Sequence, residues 1–313
     1  MSSPEKPQDT HPHDDDDQEI NLFADPEDFY PPTPPPTTQT YLTTSGAPIT
    51  LHLVGHSPLE AHHLWNGSRV VAAHFEADPS LVSQKTVLEL GAGAGLPSLV
   101  AAMLGASKVV VTDFPDPDLI QNLWRNIDEC TLIPTSPNSD KQNIIVADGY
   151  VWGMKPSHLL AHLQPSPESQ PTPSQSQSHS EKKFDVLILA DLLFRHSEHT
   201  RLLRSVETTL TVSHEARAYV VFTSYRPWLQ HKDLHFFELA RKRGFVVTKT
   251  FEKVMDRPLF EDDPGDEEVR KTVTGWTLAW PEAFVDGRKQ MGEWPGVVMD
   301  REREEDGEGG VEK

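Results

Sequence analysis

The sequence contains a single cysteine, Cys130, so no disulfide can form within the chain. That cysteine usage favours a reducing compartment. No apolar run approaches the roughly 20 residues that a membrane span requires. The first residues are acidic and lack the apolar or arginine-rich pattern of a secretory or mitochondrial signal. These absences predict a cytoplasmic protein that acts without a membrane, and we expect a monomer.

Basic residues are also scarce, since 28 Lys and Arg stand against 48 Asp and Glu and give a net charge of −20. The two ends hold most of this charge: residues 1–50 contain ten acidic residues and one basic residue, and residues 281–313 contain ten and five. Phosphate backbones are bound by clustered Lys and Arg, so a nucleic-acid partner is disfavoured. A basic protein substrate fits the charge, although acidic ends that serve only solubility are the alternative.

Hydrophobic residues make up 36% of the chain, a low fraction that predicts unfolded segments beside a folded core. Residues 1–40 are predicted to be a disordered, acidic and proline-rich arm. Residues 163–181 are rich in Ser, Pro and Gln and predict a surface insertion without structure. Residues 282–313 read as an acidic tail. One large folded domain is therefore predicted over 41–281.

Inside the domain, apolar strands alternate with helices, which predicts an α/β fold with a mostly parallel sheet. A hairpin is expected within 41–54, followed over 59–76 by a helix, or by a helix pair interrupted at Gly67. No plausible helix separates the last two strands, which predicts a terminal antiparallel hairpin. Seven such strands correspond to the Rossmann-like layout of class I methyltransferases. The strands are predicted at 86–90, 108–112, 143–146, 184–189, 218–223, 245–251 and 272–279, and the main helices at 97–104, 119–128, 198–211 and 231–243.

A glycine-rich turn follows the first of these strands and is the strongest motif in the chain. Gly91, Ala92, Gly93 and Gly95 form a G-x-G-x-G pattern that lets a ligand approach the backbone ahead of a helix N-terminus. This spacing differs from the dinucleotide G-x-G-x-x-G. Glu89 lies two residues before the first glycine, inside the strand. The motif predicts a cofactor site, against the alternative of a glycine turn without a ligand.

Further cofactor contacts are predicted at the ends of the neighbouring strands, where ligands collect in such sheets. Asp113 follows the second strand and is placed to accept both ribose hydroxyls. Asp148 follows the third and can take the adenine amino group, while Trp152 can stack on the adenine ring. Trp65 can cover the methionine end, and Ala190 ends the fourth strand. The alternative for both tryptophans is simple packing in the core.

Together these motifs resemble the seven-β-strand protein methyltransferases that modify lysines on translation factors and chaperones. The resemblance covers about 50–280 and implies S-adenosylmethionine as the cofactor. The motifs that carry it are Leu-Trp-Asn-Gly at 64–67, the glycine loop, Thr-Asp at 112–113, Trp-Gly at 152–153 and Ala-Asp-Leu-Leu-Phe at 190–194. The last one resembles the family's D-x-x-Y/F motif, and Phe194 excludes any role that needs a hydroxyl at that position.

Methyl transfer to an amine needs a neutral nitrogen, alignment and a desolvated channel more than a covalent catalyst. Asp191 is predicted to orient the target amine, with Phe194 as an apolar wall beside it; the alternative for Asp191 is a helix N-cap. The adjacent His62 and His63 are interpreted as surface or gate residues without Cys or acidic partners, so no metal site is predicted.

The stretch Leu-Phe-Ala-Asp-Pro-Glu-Asp-Phe-Tyr-Pro at 22–31 resembles fungal members of the family that methylate elongation factor 1A. That resemblance implies the N-terminal glycine amine and the adjacent lysine of this factor as the acceptors. A small-molecule N-methyltransferase for a nicotinamide-like amine is one alternative, and an enzyme for internal lysines of another protein is a second. A binding module that holds the cofactor without turnover is a third, disfavoured by the intact residues at 191 and 194.

Overall fold

The computed structural model describes residues 34–135, 140–164 and 182–291. All the elements described below lie within Pro35–Lys313. Of the segments predicted to lack structure, 1–33 of the arm, 165–181 of the insertion and 292–313 of the tail lie outside the described residues.

A seven-stranded sheet forms the centre of the fold, in the order β5-β4-β3-β6-β7-β9-β8. Strands β3 to β7 pair in parallel with one another, whereas β9 pairs antiparallel with both β7 and β8. The predicted Rossmann-like sheet with a terminal antiparallel hairpin is thereby confirmed. The strands are β1 (Thr37–Leu42), β2 (Pro48–Leu53), β3 (Thr86–Leu90), β4 (Lys108–Asp113), β5 (Ile145–Gly149), β6 (Val186–Ala190), β7 (Arg217–Thr223), β8 (Val246–Val254) and β9 (Thr272–Ala279), of which β1 and β2 form a separate hairpin.

Helices cover both faces of the sheet because successive strand residues point to opposite sides. In β3, Val87 belongs to one apolar cluster and Leu88 to the other. The first cluster is completed by α1, α2 and α3, and the second by α5, α6 and α7. The helices are α1 (Asn66–Ala77), α2 (Leu96–Met103), α3 (Pro117–Glu129), α4 (Lys141–Ile144), α5 (Ser157–Ala161), α6 (His199–Thr209), α7 (Gln230–Lys242), α8 (Glu267–Lys271) and α9 (Glu282–Met291).

The structure corrects two predictions near the start of the domain. The hairpin begins at Thr37 rather than at 41, because the β-branched threonines after the proline run pair with β2. The predicted interruption at Gly67 is also wrong. Gly67 lies in the first turn of α1, and the residues at 59–64 form turns in which Leu64 is buried.

Two differences occur near the end of the domain. The connection between β8 and β9 contains the five-residue α8, whose first turn is capped by Asp266 accepting from the Val269 N–H. Helix α9 lies in the segment predicted as tail, and its Val285 is buried, so the domain extends past 281. Among the described residues, no helix is long and apolar enough to cross a membrane.

Candidate active site

The glycine loop connects β3 to α2, and its backbone shape explains its composition. Gly91 and Gly95 have φ values of +60° and +76°, in the left-handed region that favours glycine. A Cβ on Gly91 would lie 2.7 Å from Leu192 Cδ2 and 3.0 Å from Trp152 Cζ2. Gly95 is the N-cap residue of α2. Glycine is therefore required at position 91 both by the backbone conformation and by the close approach of Leu192 and Trp152.

Glu89 supports this loop from behind and does not line a cavity. Its Oε2 accepts hydrogen bonds from the Ser98 N–H at 3.0 Å and the Ser98 Oγ at 2.5 Å, in the first turn of α2. Burial raises the pKa of Glu89 to about 8. The sequence motif predicts a cofactor contact at Glu89, whereas its side chain points toward α2 and holds the start of that helix, outside the lining of the cavity described below.

A cavity of about 310 Å³ opens at the carboxyl ends of β3, β4 and β6. It brings together nine of the twelve predicted site residues, which come from five separate segments of the chain. Three others, Glu89, Gly95 and Asp148, do not line it. The nine are Trp65, Gly91, Ala92, Gly93, Asp113, Trp152, Ala190, Asp191 and Phe194.

Asp113 ends β4 with its carboxylate in the cavity wall. Its Oδ2 accepts from the Gly93 N–H and its Oδ1 from the Phe114 N–H, both at 2.7 Å. Burial raises the pKa of Asp113, and these two backbone bonds oppose that rise. Two carboxylate oxygens offer about four acceptor positions, so about two remain for a ligand's hydroxyl groups. The geometry suits the ribose role predicted for this residue.

Asp148 does not line the cavity, although it lies near the end of β5, the strand next to β4. Its carboxylate accepts from the Gly149 N–H and pairs with His162 Nε2 at 2.9 Å. The prediction that Asp148 holds the adenine amino group is therefore not supported by its position. Phe114, which the sequence analysis missed, lines the cavity in its place and is exposed. The only feature of the sequence that indicates Phe114 is its position directly after Asp113, the residue predicted to bind the ribose.

An aromatic wall closes the other end of the cavity; we use this name for Trp65, Phe194, Tyr225 and Phe260. The Trp65 and Phe194 rings stack with centroids 5.6 Å apart and planes 14° apart, and both line the cavity. Tyr225 and Phe260 pack edge-on against Trp65, at 5.0 and 5.7 Å. Tyr225 follows the end of β7 and so had a positional signal, whereas Phe260 lies in the β8–β9 connection and had none.

Asp191 lies beside this wall, buried and with a left-handed φ of +52°. Its Oδ2 accepts from the Gly67 N–H at 2.5 Å and its Oδ1 from the Thr223 N–H at 2.9 Å. The Tyr225 hydroxyl accepts from the Asn66 N–H at 3.3 Å, in the same first turn of α1. Burial raises the pKa of Asp191 to about 7. Asp191 is therefore not the N-cap of the helix that follows it in the chain. Its carboxylate accepts instead from the Gly67 N–H in the first turn of α1.

Comparison of the sequence with known proteins identifies the family to which the chain belongs. The family model described as lysine methyltransferase matches residues 56–158. A protein N-terminal and lysine N-methyltransferase efm7 from Neurospora crassa is 57% identical over 283 residues, covering 90% of this chain and 96% of the relative. The chain belongs to the efm7 family of protein N-terminal and lysine N-methyltransferases.

The similarity also spans nearly the full length of a less similar efm7 protein. The one from Schizosaccharomyces pombe is 38% identical over 272 residues, covering 86% of this chain and 98% of the relative. Among solved structures, a putative SAM-dependent methyltransferase from Streptococcus mutans has a TM-score of 0.46 at 12% identity, covering 80% of this chain and 56% of that one.

Proposed function

We propose that this chain transfers methyl groups from S-adenosylmethionine to the N-terminal glycine amine, and to the adjacent lysine, of translation elongation factor 1A. The observation that carries the proposal is a single cavity with the glycine loop and Asp113 at one end and the aromatic wall with Asp191 at the other. A donor and an acceptor amine then meet in one enclosed space. Membership of the efm7 family supports a protein as the substrate.

The residues at the donor end fit S-adenosylmethionine. Gly91 and Gly93 line the cavity with backbone alone, and Asp113 keeps acceptor positions for the ribose hydroxyls. Trp152 and Phe114 offer aromatic surface for the adenine ring. When bound, the cofactor supplies an electrophilic methyl group on a sulfonium sulfur.

The residues at the acceptor end select and prepare an amine. Trp65 and Phe194 line the cavity, and a ring face that their mutual stacking leaves uncovered attracts an ammonium ion through cation–π interaction, typically worth about 0.5–2 kcal/mol. Asp191 adds a buried negative charge beside them and orients the nitrogen. Its oxygens retain acceptor positions beyond the two backbone bonds, so Asp191 can take the proton that the amine must lose before attack.

The acidity of Asp191 favours an N-terminal amine over a lysine. An α-amine has a pKa near 8 and a lysine amine near 10.4, while that of Asp191 is about 7. Proton transfer to Asp191 is therefore less unfavourable from the α-amine than from lysine. The terminus is therefore methylated first, and its neighbour more slowly.

The choice of elongation factor 1A as target is supported by the sequence. Residues 22–31 resemble the group of enzymes that act on this factor, and the net charge of −20 attracts a cationic chain end. At ordinary salt this attraction acts within about 10 Å of the surface. A translation factor as substrate also agrees with the cytoplasmic location expected from the cysteine usage.

Mass spectrometry of elongation factor 1A after reaction tests the proposal. The expected result is methylation of the glycine α-amine, followed by the adjacent lysine. A matched substrate with an acetylated N-terminus should lose the first modification while its lysine side chain stays available. Methyl groups confined to internal lysines would contradict the target assignment. Turnover of nicotinamide with an untouched protein would favour the small-molecule alternative.

A further inference from the structure

Three metal-binding side chains meet at the edge of the cavity, in the turn before α1. They are Glu60, His62 and His63, and their ligand atoms all lie within 4.8 Å of one another. We propose that these three residues bind a divalent transition-metal ion, with Zn²⁺ as the best match. Neither the methyl-transfer reaction nor the family relationship requires such a site.

The distances are close to those of a formed site. Glu60 Oε2 lies 3.9 Å from His62 Nε2 and 3.8 Å from His63 Nε2. Tetrahedral Zn²⁺ with bonds of about 2.0–2.1 Å holds its ligand atoms about 3.3 Å apart. Side-chain rotations that shorten the two distances to Glu60 by about half an ångström, and bring the two histidine nitrogens together from within 4.8 Å, place the three ligands on one ion.

The turn that carries these side chains is held in place by its own contacts. Glu60 has a left-handed φ of +63°, an uncommon conformation for a residue that is not glycine. Its N–H donates to the Ser57 carbonyl at 2.9 Å, and its carbonyl accepts from Trp65 Nε1 at 3.0 Å. This conformation turns the Glu60 carboxylate back toward two consecutive histidines.

The environment of the histidines favours a ligand. The His62 and His63 rings lie 4.0 Å apart, and His56 lies beside them with its centroid 5.5 Å from His62. The Nδ1 atom of His62 is buried and has no hydrogen-bond partner in the part of the chain that the structure describes. A coordinated metal would fix the orientation of this ring.

The donor set decides which ion fits. Two imidazoles and one carboxylate suit Zn²⁺ and similar transition metals, whereas Mg²⁺ and Ca²⁺ prefer sites made of oxygen ligands. With three protein ligands, a fourth position stays open, as in zinc sites that exchange their ligand. Because Glu60 and His63 also line the cavity, the ion would lie at its rim.

The chain contains a second group of potential metal ligands, and a test must distinguish metal binding by that group from binding at Glu60, His62 and His63. His11 and His13 precede the aspartate run 14–17, a composition that binds metal ions without any fold. Isothermal titration of the full-length protein with Zn²⁺ should therefore compare the wild type, H62Q, and the double variant H11Q/H13Q. The surface variant H235Q is the matched control, because His235 pairs with Glu238 at 3.0 Å and belongs to no group of three potential ligands among the described residues.

The expected result is one Zn²⁺ ion that H62Q binds at least about tenfold more weakly, while H235Q and the double variant keep it. E60Q provides a second test at another ligand, with melting temperature confirming that each variant folds. Titration with Co²⁺ should give the visible absorption of a tetrahedral site in the wild type and not in H62Q. Equal Zn²⁺ stoichiometry and affinity in the wild type, H62Q and E60Q would overturn the proposal, as would loss of all binding in the double variant.

Discussion

The backbone N–H of Gly67 donates to Asp191 Oδ2 at 2.5 Å, joining residues 124 positions apart in the chain. The same carboxylate accepts from Thr223, so one side chain connects the start of α1 with the ends of β6 and β7. Trp65 immediately precedes α1, and its ring lines the cavity. The geometry of the aromatic wall therefore depends on a single buried carboxylate.

Replacing Gly67 with alanine should disrupt this connection. The new Cβ would lie 2.8 Å from the Val221 carbonyl oxygen and closer still to the Asp191 carboxylate, a clash that backbone atoms cannot relieve cheaply. We expect a stability loss of about 1–3 kcal/mol and a larger loss of transfer than of cofactor affinity. Urea denaturation, calorimetry with S-adenosylmethionine and a peptide methylation assay measure the three effects. Transfer at the wild-type rate would show that the wall does not depend on this contact.

Asp191→Asn should change the pH dependence of transfer. In the wild type, kcat/KM should fall as the pH drops below about 7, because the protonated carboxyl can no longer accept the amine proton. The asparagine variant should lose about 10²–10⁴-fold in rate and show only the pH dependence of the amine itself. Asp148→Asn is the control, since that side chain lies outside the cavity wall. If kcat/KM of the asparagine variant still fell below about pH 7, that pH dependence would belong to a group other than Asp191.

Asp113→Ala should weaken S-adenosylmethionine binding, whereas Asp148→Ala should change it less than about twofold. Each lost hydrogen bond to the charged Asp113 is worth about 1.5–3 kcal/mol, so the affinity should fall by at least about tenfold. The two aspartates end adjacent strands, and only Asp113 lines the cavity. Calorimetry on both variants measures the S-adenosylmethionine affinity and shows which aspartate contributes to cofactor binding. Tighter binding of NAD than of S-adenosylmethionine would contradict the cofactor assignment itself.

Glu89→Gln should flatten the dependence of stability on pH. The folded protein holds the Glu89 proton up to about pH 8, whereas the unfolded chain releases it near its ordinary pKa of 4.5. Stability is therefore lost as the pH rises through this window, by at most about 1.4 kcal/mol per pH unit from this group. Urea denaturation between about pH 5 and pH 8 measures the slope. Identical slopes in the variant and the wild type would refute the raised pKa.

Local patterns predicted most of the fold and the donor end of the site. The strand at Thr272–Ala279 has the predicted ends, and the glycine loop and Asp113 lie where ligands collect, because alternation and turn chemistry are encoded by neighbouring residues. Glu89 and Asp148 were misjudged because proximity in sequence does not give the direction of a side chain.

The acceptor end depends on contacts between distant segments, which no local pattern encodes. Tyr225 and Phe260 reach Trp65 only after the sheet has formed. Glu60 was likewise not paired with the two histidines, because its left-handed backbone, and not its spacing, turns the carboxylate toward them.

The placement of β9 between β7 and β8 has a consequence for synthesis on the ribosome. Within the described sheet, β8 hydrogen-bonds only to β9, which follows it in the chain. While a nascent chain has emerged only as far as Val254, β8 has no strand to join and β7 has an open edge. Exposed edges of this kind invite pairing with other chains. Completion of the fold therefore waits until the strand that ends at Ala279 has left the exit tunnel.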